Sequence, residues 1–342
     1  MHCACGLFFC AFDSENKGVY TVREVKYMHI HTEVNGQFPV RNTKEQKAAF
    51  RDYLTKKAET MGYSAVVEPT DKKRSSNNVV VGSPDKARVV FTAHYDTPNR
   101  AMVPNMMMPR CKVASFAYAL MVVAPVLAVA LGFRILLDRW IGIEALSSLV
   151  FLIVYFGLFY FMMLGGPKNP NNANDNTSGI ATLLQIMEQL PVEERQHAAF
   201  IFFDNEEKGL LGSGGYAKLH PELKKEKLII NLDCVANGDQ LLVIARKKAE
   251  AMKELQVLKM LSPQDDRYQV HFFGQKGSMM NSDHKRFDRG VGIFACKKAP
   301  VVGFACGRIH TPRDTHADAE NMNVLADWMV RFVCELTDQE NA

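Results

Sequence analysis

The sequence has no CxxC pair and no zinc-finger spacing among its eight cysteines, which stand at 3, 5, 10, 111, 234, 296, 306 and 334. Scattered cysteines in a chain of 342 residues argue against a disulfide framework and for a reducing compartment. Charge of one sign is also scarce: 41 basic residues meet 37 acidic ones, for a formal net charge of +4. That leaves no surplus for a phosphate-tracking face, and no nucleic-acid partner is expected. There is no long charged run, internal repeat or low-complexity tract, and 21 Phe exclude a disordered chain. The apolar N-terminus lacks a basic flank and is followed by Asp13 and Glu15, so it does not read as a secretory signal. Residues 1–27 are read as an extension of unassigned role, either a palmitoylated anchor or a read-through from an upstream start. A domain from Met28 to the end is expected.

What the sequence has in excess is apolar length, in two places. Residues 113–133 and 145–164 carry no charge, and 35 of their 41 residues are hydrophobic. The remaining chain is about 42% hydrophobic against 47% overall, an ordinary soluble composition. A mean hydropathy just below zero therefore averages two unlike populations. At about 1.5 Å per residue each segment is long enough to span a bilayer, and two in tandem favour a transmembrane hairpin over a buried one. Arg134, Asp138, Arg139 and Glu144 hold the short linker at the interface, with Trp140, Tyr155 and Tyr160 as belt residues. Arg100, Arg110, Lys112 and Lys168 flank the hairpin on its other side, which favours a cytoplasmic main domain in a multi-pass membrane protein with two spans.

Helical spacing is predicted over 43–61, 177–190, 248–261 and 321–337. Strands are predicted at 78–82, 87–93, 198–203, 227–232, 240–245, 269–273 and 291–295. Ser83-Pro84-Asp85 reads as a hairpin turn between the first two. Strands alternating with helices indicate an α/β fold, with a partly antiparallel sheet because of that hairpin.

Acidic and imidazole groups recur where these strands end. His94-Tyr95-Asp96-Thr97 closes one strand, Glu206-Glu207 follows another, and Asp233 ends a third. Asp175 precedes a helix, and His310 lies late in the chain. Open α/β sheets collect ligands at the carboxyl ends of their strands, and two imidazoles with three carboxylates suit zinc. Singly, each has an ordinary alternative: a surface pair for Glu206-Glu207, a helix N-cap for Asp175. Their repetition at strand ends argues for a site.

In order, these motifs resemble the di-zinc exopeptidases of the bacterial leucine aminopeptidase, aminopeptidase Y and glutamate carboxypeptidase type. Ser282-Asp283-His284 resembles that family's SDH element, and the likeness covers roughly residues 40–340 apart from the apolar insertion. The resemblance implies a three-layer α/β/α sandwich with a mixed central sheet, here interrupted by the two-helix hairpin. It implies two zinc ions: His94 and Asp233 on one, His310 and Glu207 on the other, Asp175 bridging. Asp96 would orient His94 through its other ring nitrogen. Glu206 would be the general base acting on a water shared by the ions, in an aminopeptidase whose substrates are peptides. The chain departs from the family pattern in that 81 residues separate His94 from Asp175, the excess being the hairpin. Long insertions cost little when their ends stay together, so the site is expected near the membrane surface. A carboxypeptidase, a dipeptidase, a glutaminyl cyclase-like enzyme and an inactive membrane scaffold are the alternatives. The motifs leave substrate preference and oligomeric state open.

Overall fold

The computed structural model describes residues 10–12, 19–71, 76–103, 105–163, 165–264 and 266–341. The cysteine-rich first nine residues, and with them most of the expected N-terminal extension, lie outside these. Along the chain come β1 (Cys10–Phe12), β2 (Val19–Thr21), α1 (Val22–Gln37), α2 (Lys44–Thr60), β3 (Ala65–Asp71), β4 (Ser76–Val81), β5 (Val89–His94) and β6 (Met106–Met107). The apolar helices α3 (Lys112–Ile141) and α4 (Glu144–Met163) follow, then α5 (Thr177–Gln189), β7 (Ala198–Phe203), α6 (Leu211–Leu219), α7 (Pro221–Glu226), β8 (Leu228–Leu232) and β9 (Gln240–Ala245). Last are α8 (Lys247–Glu250), α9 (Lys253–Met260), β10 (Gln269–Gly274), β11 (Gly290–Ala299), β12 (Gly303–Gly307) and α10 (Ala319–Asn341).

The main sheet runs β10-β9-β11-β8-β5-β7-β4-β3 and is mixed, as expected. Its centre is parallel: β5 lies between β8 and β7, paired parallel with both. These strands read as unbroken apolar runs because helices cover both faces. In β7, Phe200 and Phe202 enter the core beneath α1, α2, α5 and α10, while Ile201 and Phe203 enter the core beneath α6 and α7. Period-2 alternation thus feeds two cores from one strand, giving three layers.

The turn at Ser83-Pro84-Asp85 does not make a hairpin. β4 and β5 both pair with β7, which lies between them, so the chain crosses over rather than folding back. The true hairpin partner of β4 is β3, a strand that sequence patterning missed. Pro69 within it signals a non-strand, but β3 is the sheet's edge, where proline is tolerated, and its register shifts between Pro69 and Asp71. The expected helix at 43–61 forms as α2 with a capping box: Gln46 N–H donates to Thr43 Oγ1 at 3.3 Å, and Thr43 N–H donates to Gln46 Oε1 at 3.0 Å.

The two apolar segments form helices packed on each other along Val122, Val126 and Ala130, a stripe at four-residue spacing. Elsewhere they present large apolar side chains outward: Phe116 is 67% exposed, Ile153 62% and Phe156 61%. α3 continues through most of the expected linker, so only Gly142 and Ile143 separate the helices. Gly142 ends α3 at φ +70°, donating its N–H to Asp138 O at 3.1 Å, an αL cap that glycine adopts without penalty.

The roots of this hairpin are stitched together. Arg100 N–H donates to Pro167 O at 2.8 Å, Asn99 and Lys168 form an antiparallel bridge, and Met102 N–H donates to Met162 O at 2.9 Å. Gly166 packs so tightly here that a Cβ would collide with the Arg100 carbonyl oxygen. An insertion closed this way leaves the flanking segments in place.

Candidate metal centre

Three adjacent parallel strands deliver acidic and imidazole groups to one end of the sheet. His94 closes β5 level with Phe203 of β7, and Thr92 pairs with Asn231 of β8, which puts Asp233 and the 204–207 turn on either side of His94. Asp175 comes from the N-terminus of α5. Asn176 caps this helix by accepting Gly179 N–H at 3.1 Å, and its Nδ2 donates to Leu232 O at 3.0 Å. The same side chain accepts Cys234 N–H at 3.2 Å, so it pins the helix start to the end of β8. His310 follows β12 at φ +57°, and Ala101 N–H donates to its carbonyl oxygen at 2.8 Å.

The structure brings all seven candidate residues into one cluster. His94 Nε2 lies 3.3 Å from Asp175 Oδ1 and 3.7 Å from Asp233 Oδ1. His310 Nε2 lies 2.9 Å from Asp175 Oδ2 and 3.3 Å from Glu207 Oε2. Two donor groups result, His94–Asp175–Asp233 and Asp175–Glu207–His310, which share Asp175, while Glu206 approaches His94 and Glu207 in a third. The Asp96 carboxylate faces the His94 imidazole and the turn after β7 together. Its Oδ1 is 3.5 Å from His94 Nδ1, whereas its two oxygens accept the N–H groups of Glu206 at 2.9 Å and Glu207 at 3.3 Å. The His94 Nδ1 hydrogen bond is to the Asp96 backbone oxygen, at 3.2 Å.

The donor set fits zinc. Imidazole nitrogen and carboxylate oxygen are its ligands at about 2.0–2.2 Å, and a tetrahedron of that size has ligand-to-ligand edges of about 3.3–3.6 Å. The separations of 2.9–3.7 Å straddle that edge. Glu207 Oε1 is buried with no hydrogen-bond partner, an arrangement that is costly for a carboxylate unless a cation meets it.

These buried charges act on one another. Burial lowers His94 and His310, but the carboxylates around them win and raise both well above the ordinary imidazole value. Burial raises Glu206 well above the usual carboxylate range, and neighbouring Glu207 adds to this. Burial also acts to raise Asp175, but its hydrogen bonds and proximity to His310 and His94 outweigh it and hold the carboxyl low.

Several supporting groups escaped sequence reasoning. Arg41 is fully buried, donating to Tyr95 O at 2.6 Å, Asn172 Oδ1 at 3.1 Å and Thr177 Oγ1 at 3.0 Å, which ties the end of β5 to the start of α5. Burial brings its guanidinium down to about 9. Lys47 pairs with Asp204 at 2.7 Å in the core. Lys47 falls on the stripe of Phe50, Leu54 and Ala58, and a cation on an apolar stripe is the signal that would have found it. Asp314 accepts the N–H groups of Asn174 and Asp175, each at 2.9 Å, and burial beside Asp175 pushes it up to about 7. In the Ser282-Asp283-His284 element all three residues are buried. Burial pushes Asp283 up to about 7 and His284 down to about 3, with His284 Nε2 3.1 Å from Gln275 Oε1.

Residues 161–333 match the sequence pattern of peptidase family M28. The chain belongs to this family. No match was found among curated protein sequences. Among solved structures, the M28 chain is similar in fold to LapA aminopeptidase of Legionella pneumophila, with 17% identity and a TM-score of 0.54 over 92% of this chain and 71% of that one. It is similar to the glutaminyl cyclase of Porphyromonas gingivalis at 16% identity and a TM-score of 0.56, over 91% and 96% of the two chains. A Zn-dependent exopeptidase from Parabacteroides distasonis gives 16% identity and a TM-score of 0.55, over 90% and 96%. The M28 match begins at residue 161, so His94, Asp96 and most of the hairpin lie outside it.

Proposed function

We propose that this M28 chain is a zinc-dependent aminopeptidase held at a membrane by its α3–α4 hairpin. The observation that carries the reading is the Asp175 carboxylate, whose oxygens face His94 at 3.3 Å and His310 at 2.9 Å, as a bridge between two ions requires. His94 and Asp233 would hold one zinc, His310 and Glu207 the other, and Asp175 would serve both. When bound, zinc supplies Lewis acidity that lowers the pKa of water and polarises a peptide carbonyl.

The chain's own groups supply the proton chemistry. Glu206 takes a proton from the attacking water and returns one to the leaving amine. Burial and the neighbouring Glu207 raise its pKa above the usual carboxylate range. Asp96 holds the backbone of Glu206 and Glu207, so that one carboxylate would meet a metal while its neighbour would face the substrate. Asp314 and Arg41 keep the Asp175 turn against the sheet.

Membrane attachment is supported by the length and exposure of the two helices. α3 has 30 residues and α4 has 20, roughly 45 and 30 Å at about 1.5 Å per residue, and over residues 113–133 and 145–163 they carry no charged side chain. Arg100, Arg110, Lys112 and Lys168 at the hairpin roots favour a cytoplasmic hydrolase domain.

The test is hydrolysis of aminoacyl-coumarin substrates by the full chain, with and without a chelator, alongside free and N-acetylated peptides. Chelator-sensitive release from free N-termini alone is the expected result. Activity that survives metal removal overturns the zinc reading, and equal cleavage of acetylated peptides overturns the aminopeptidase reading. Cyclisation of glutaminyl peptides with ammonia release would instead place the chain with the cyclases that share its fold. Loss of residues 113–164 should release the protein from membrane fractions.

A further inference from the structure

A cavity of about 210 Å³ lies where the hairpin meets the candidate metal centre. One wall is His310 and Ala101, and the other is Tyr118, Ala119 and Val122 of α3 with Phe159 of α4. We propose that this cavity receives an apolar side chain of the substrate beside the bond that is cut, so that the hairpin sets the enzyme's preference for large apolar residues. The proposal rests on the metallopeptidase reading above.

Position argues for a substrate subsite. His310, which that reading assigns to a zinc, forms part of the wall, so the cavity lies beside the proposed metal site. The two walls are joined by backbone: Ala101 N–H donates to His310 O at 2.8 Å, and Met102 N–H donates to Met162 O at 2.9 Å. Tyr118 to Val122 lie six to ten residues into α3, roughly 9–15 Å from its start. The cavity is therefore at the hairpin's root, where a peptide in the hydrolase domain can enter it.

Size and lining select the occupant. Apolar cavities of about 150 Å³ accept benzene, while drug-sized ligands need roughly 300–1,000 Å³. The volume here fits one leucine- or phenylalanine-sized side chain and is too small for an extended acyl chain. Ala119, Val122 and Phe159 offer such a group apolar contact, and Asn105, Tyr118 and His310 are the polar part of the lining. Among the described residues, no carboxylate or Lys/Arg cation lines the cavity to pair with a charged occupant. The substrate class is peptides with a bulky apolar residue at the cleaved end, such as fragments of membrane segments.

The experiment uses full-length protein in phosphatidylcholine nanodiscs. One arm measures kcat/KM for leucyl, phenylalanyl and alanyl substrates. The other measures binding of leucinol and alaninol by calorimetry, which needs no turnover. A side chain that fills an apolar pocket is discriminated by about 10–200-fold, and the wild type should prefer leucyl over alanyl on that scale. Ala119→Trp, which fills the cavity, should reduce the leucyl-to-alanyl ratio at least tenfold in both arms. Phe159→Ala, which enlarges it, should shift preference toward tryptophanyl substrates. Wild-type ratios in both variants would overturn the proposal. An inactive protein that still binds leucinol in an Ala119-dependent way would overturn the peptidase reading and leave the cavity's specificity standing.

Discussion

The carboxylate of Asp96 accepts the backbone N–H of Glu206 at 2.9 Å and that of Glu207 at 3.3 Å. Two residues past His94, it thus fixes the turn after β7 to the end of β5. Asparagine is nearly isosteric but has one acceptor oxygen, so its amide would face one of those N–H groups with another donor. Asp96→Asn is expected to lose 10–100-fold in kcat/KM, the usual cost of removing a group that orients a metal site. Steady-state kinetics on the zinc-loaded variant check this, and wild-type turnover would remove Asp96 from the positioning role.

The central strands are legible in the sequence because β7 and β8 are buried on both faces and read as apolar runs. Strand order is less so, since nothing in Ser83-Pro84-Asp85 reveals that β7, more than 100 residues later, lies between β4 and β5. The residue types of the site recur visibly at strand ends, yet the convergence of His94, Asp175 and His310 depends on that order and on a hairpin whose roots close. Arg41 is illegible for a different reason. Cations are ordinarily exposed, and only the fold shows that Tyr95 O and Asn172 are waiting for it in the core, whereas Lys47 at least stands on the apolar stripe of α2.

Glu206 is proposed to move protons, whereas His310 is proposed to hold metal, and two variants separate these roles. Glu206→Gln keeps the shape but loses the base, so turnover should fall by about 10²–10⁴-fold with zinc content unchanged. His310→Ala should lower the zinc-to-protein ratio, and Asp175→Ala, which removes the shared ligand, should lower it further. Elemental analysis of purified variants checks both. Full turnover in Glu206→Gln would sink the assignment of the base.

The metal-free protein should respond to pH in the opposite sense from the loaded one. His94 and His310 are raised well above their ordinary 6.5 in the folded state. The folded chain then holds these protons more tightly than the unfolded chain does. That stabilisation is complete below about 6.5 and is lost as pH rises through the folded values. Glu206, also raised, acts in the same direction. With zinc bound, protons compete with the ions for the same ligands, so the loaded protein should instead lose stability on acidification. Melting curves from pH 5 to 9, with chelator and with zinc, should show Tm falling with pH in the first series and rising in the second. Parallel trends would contradict the cluster as a metal site.

Gly166 tests whether the hairpin root is coupled to the centre. A Cβ there would meet the Arg100 carbonyl oxygen, whose residue also donates its N–H to Pro167 O at 2.8 Å. The next residue, Ala101, is bonded to His310 O at 2.8 Å, so a displaced Arg100 pulls on the segment that supports a proposed ligand. Gly166→Ala should therefore destabilise by about 1–3 kcal/mol, as overpacking does, and lower zinc affinity with it. Gly142 at the hairpin tip is the control: φ is +70° and a Cβ there meets nothing within 4 Å. Gly142→Ala should cost about 1–2 kcal/mol of left-handed strain and leave kcat/KM within about twofold. Thermal melts and zinc titrations of the two variants distinguish these outcomes. Equal zinc affinity in both would mean that the root and the metal ligands are mechanically independent.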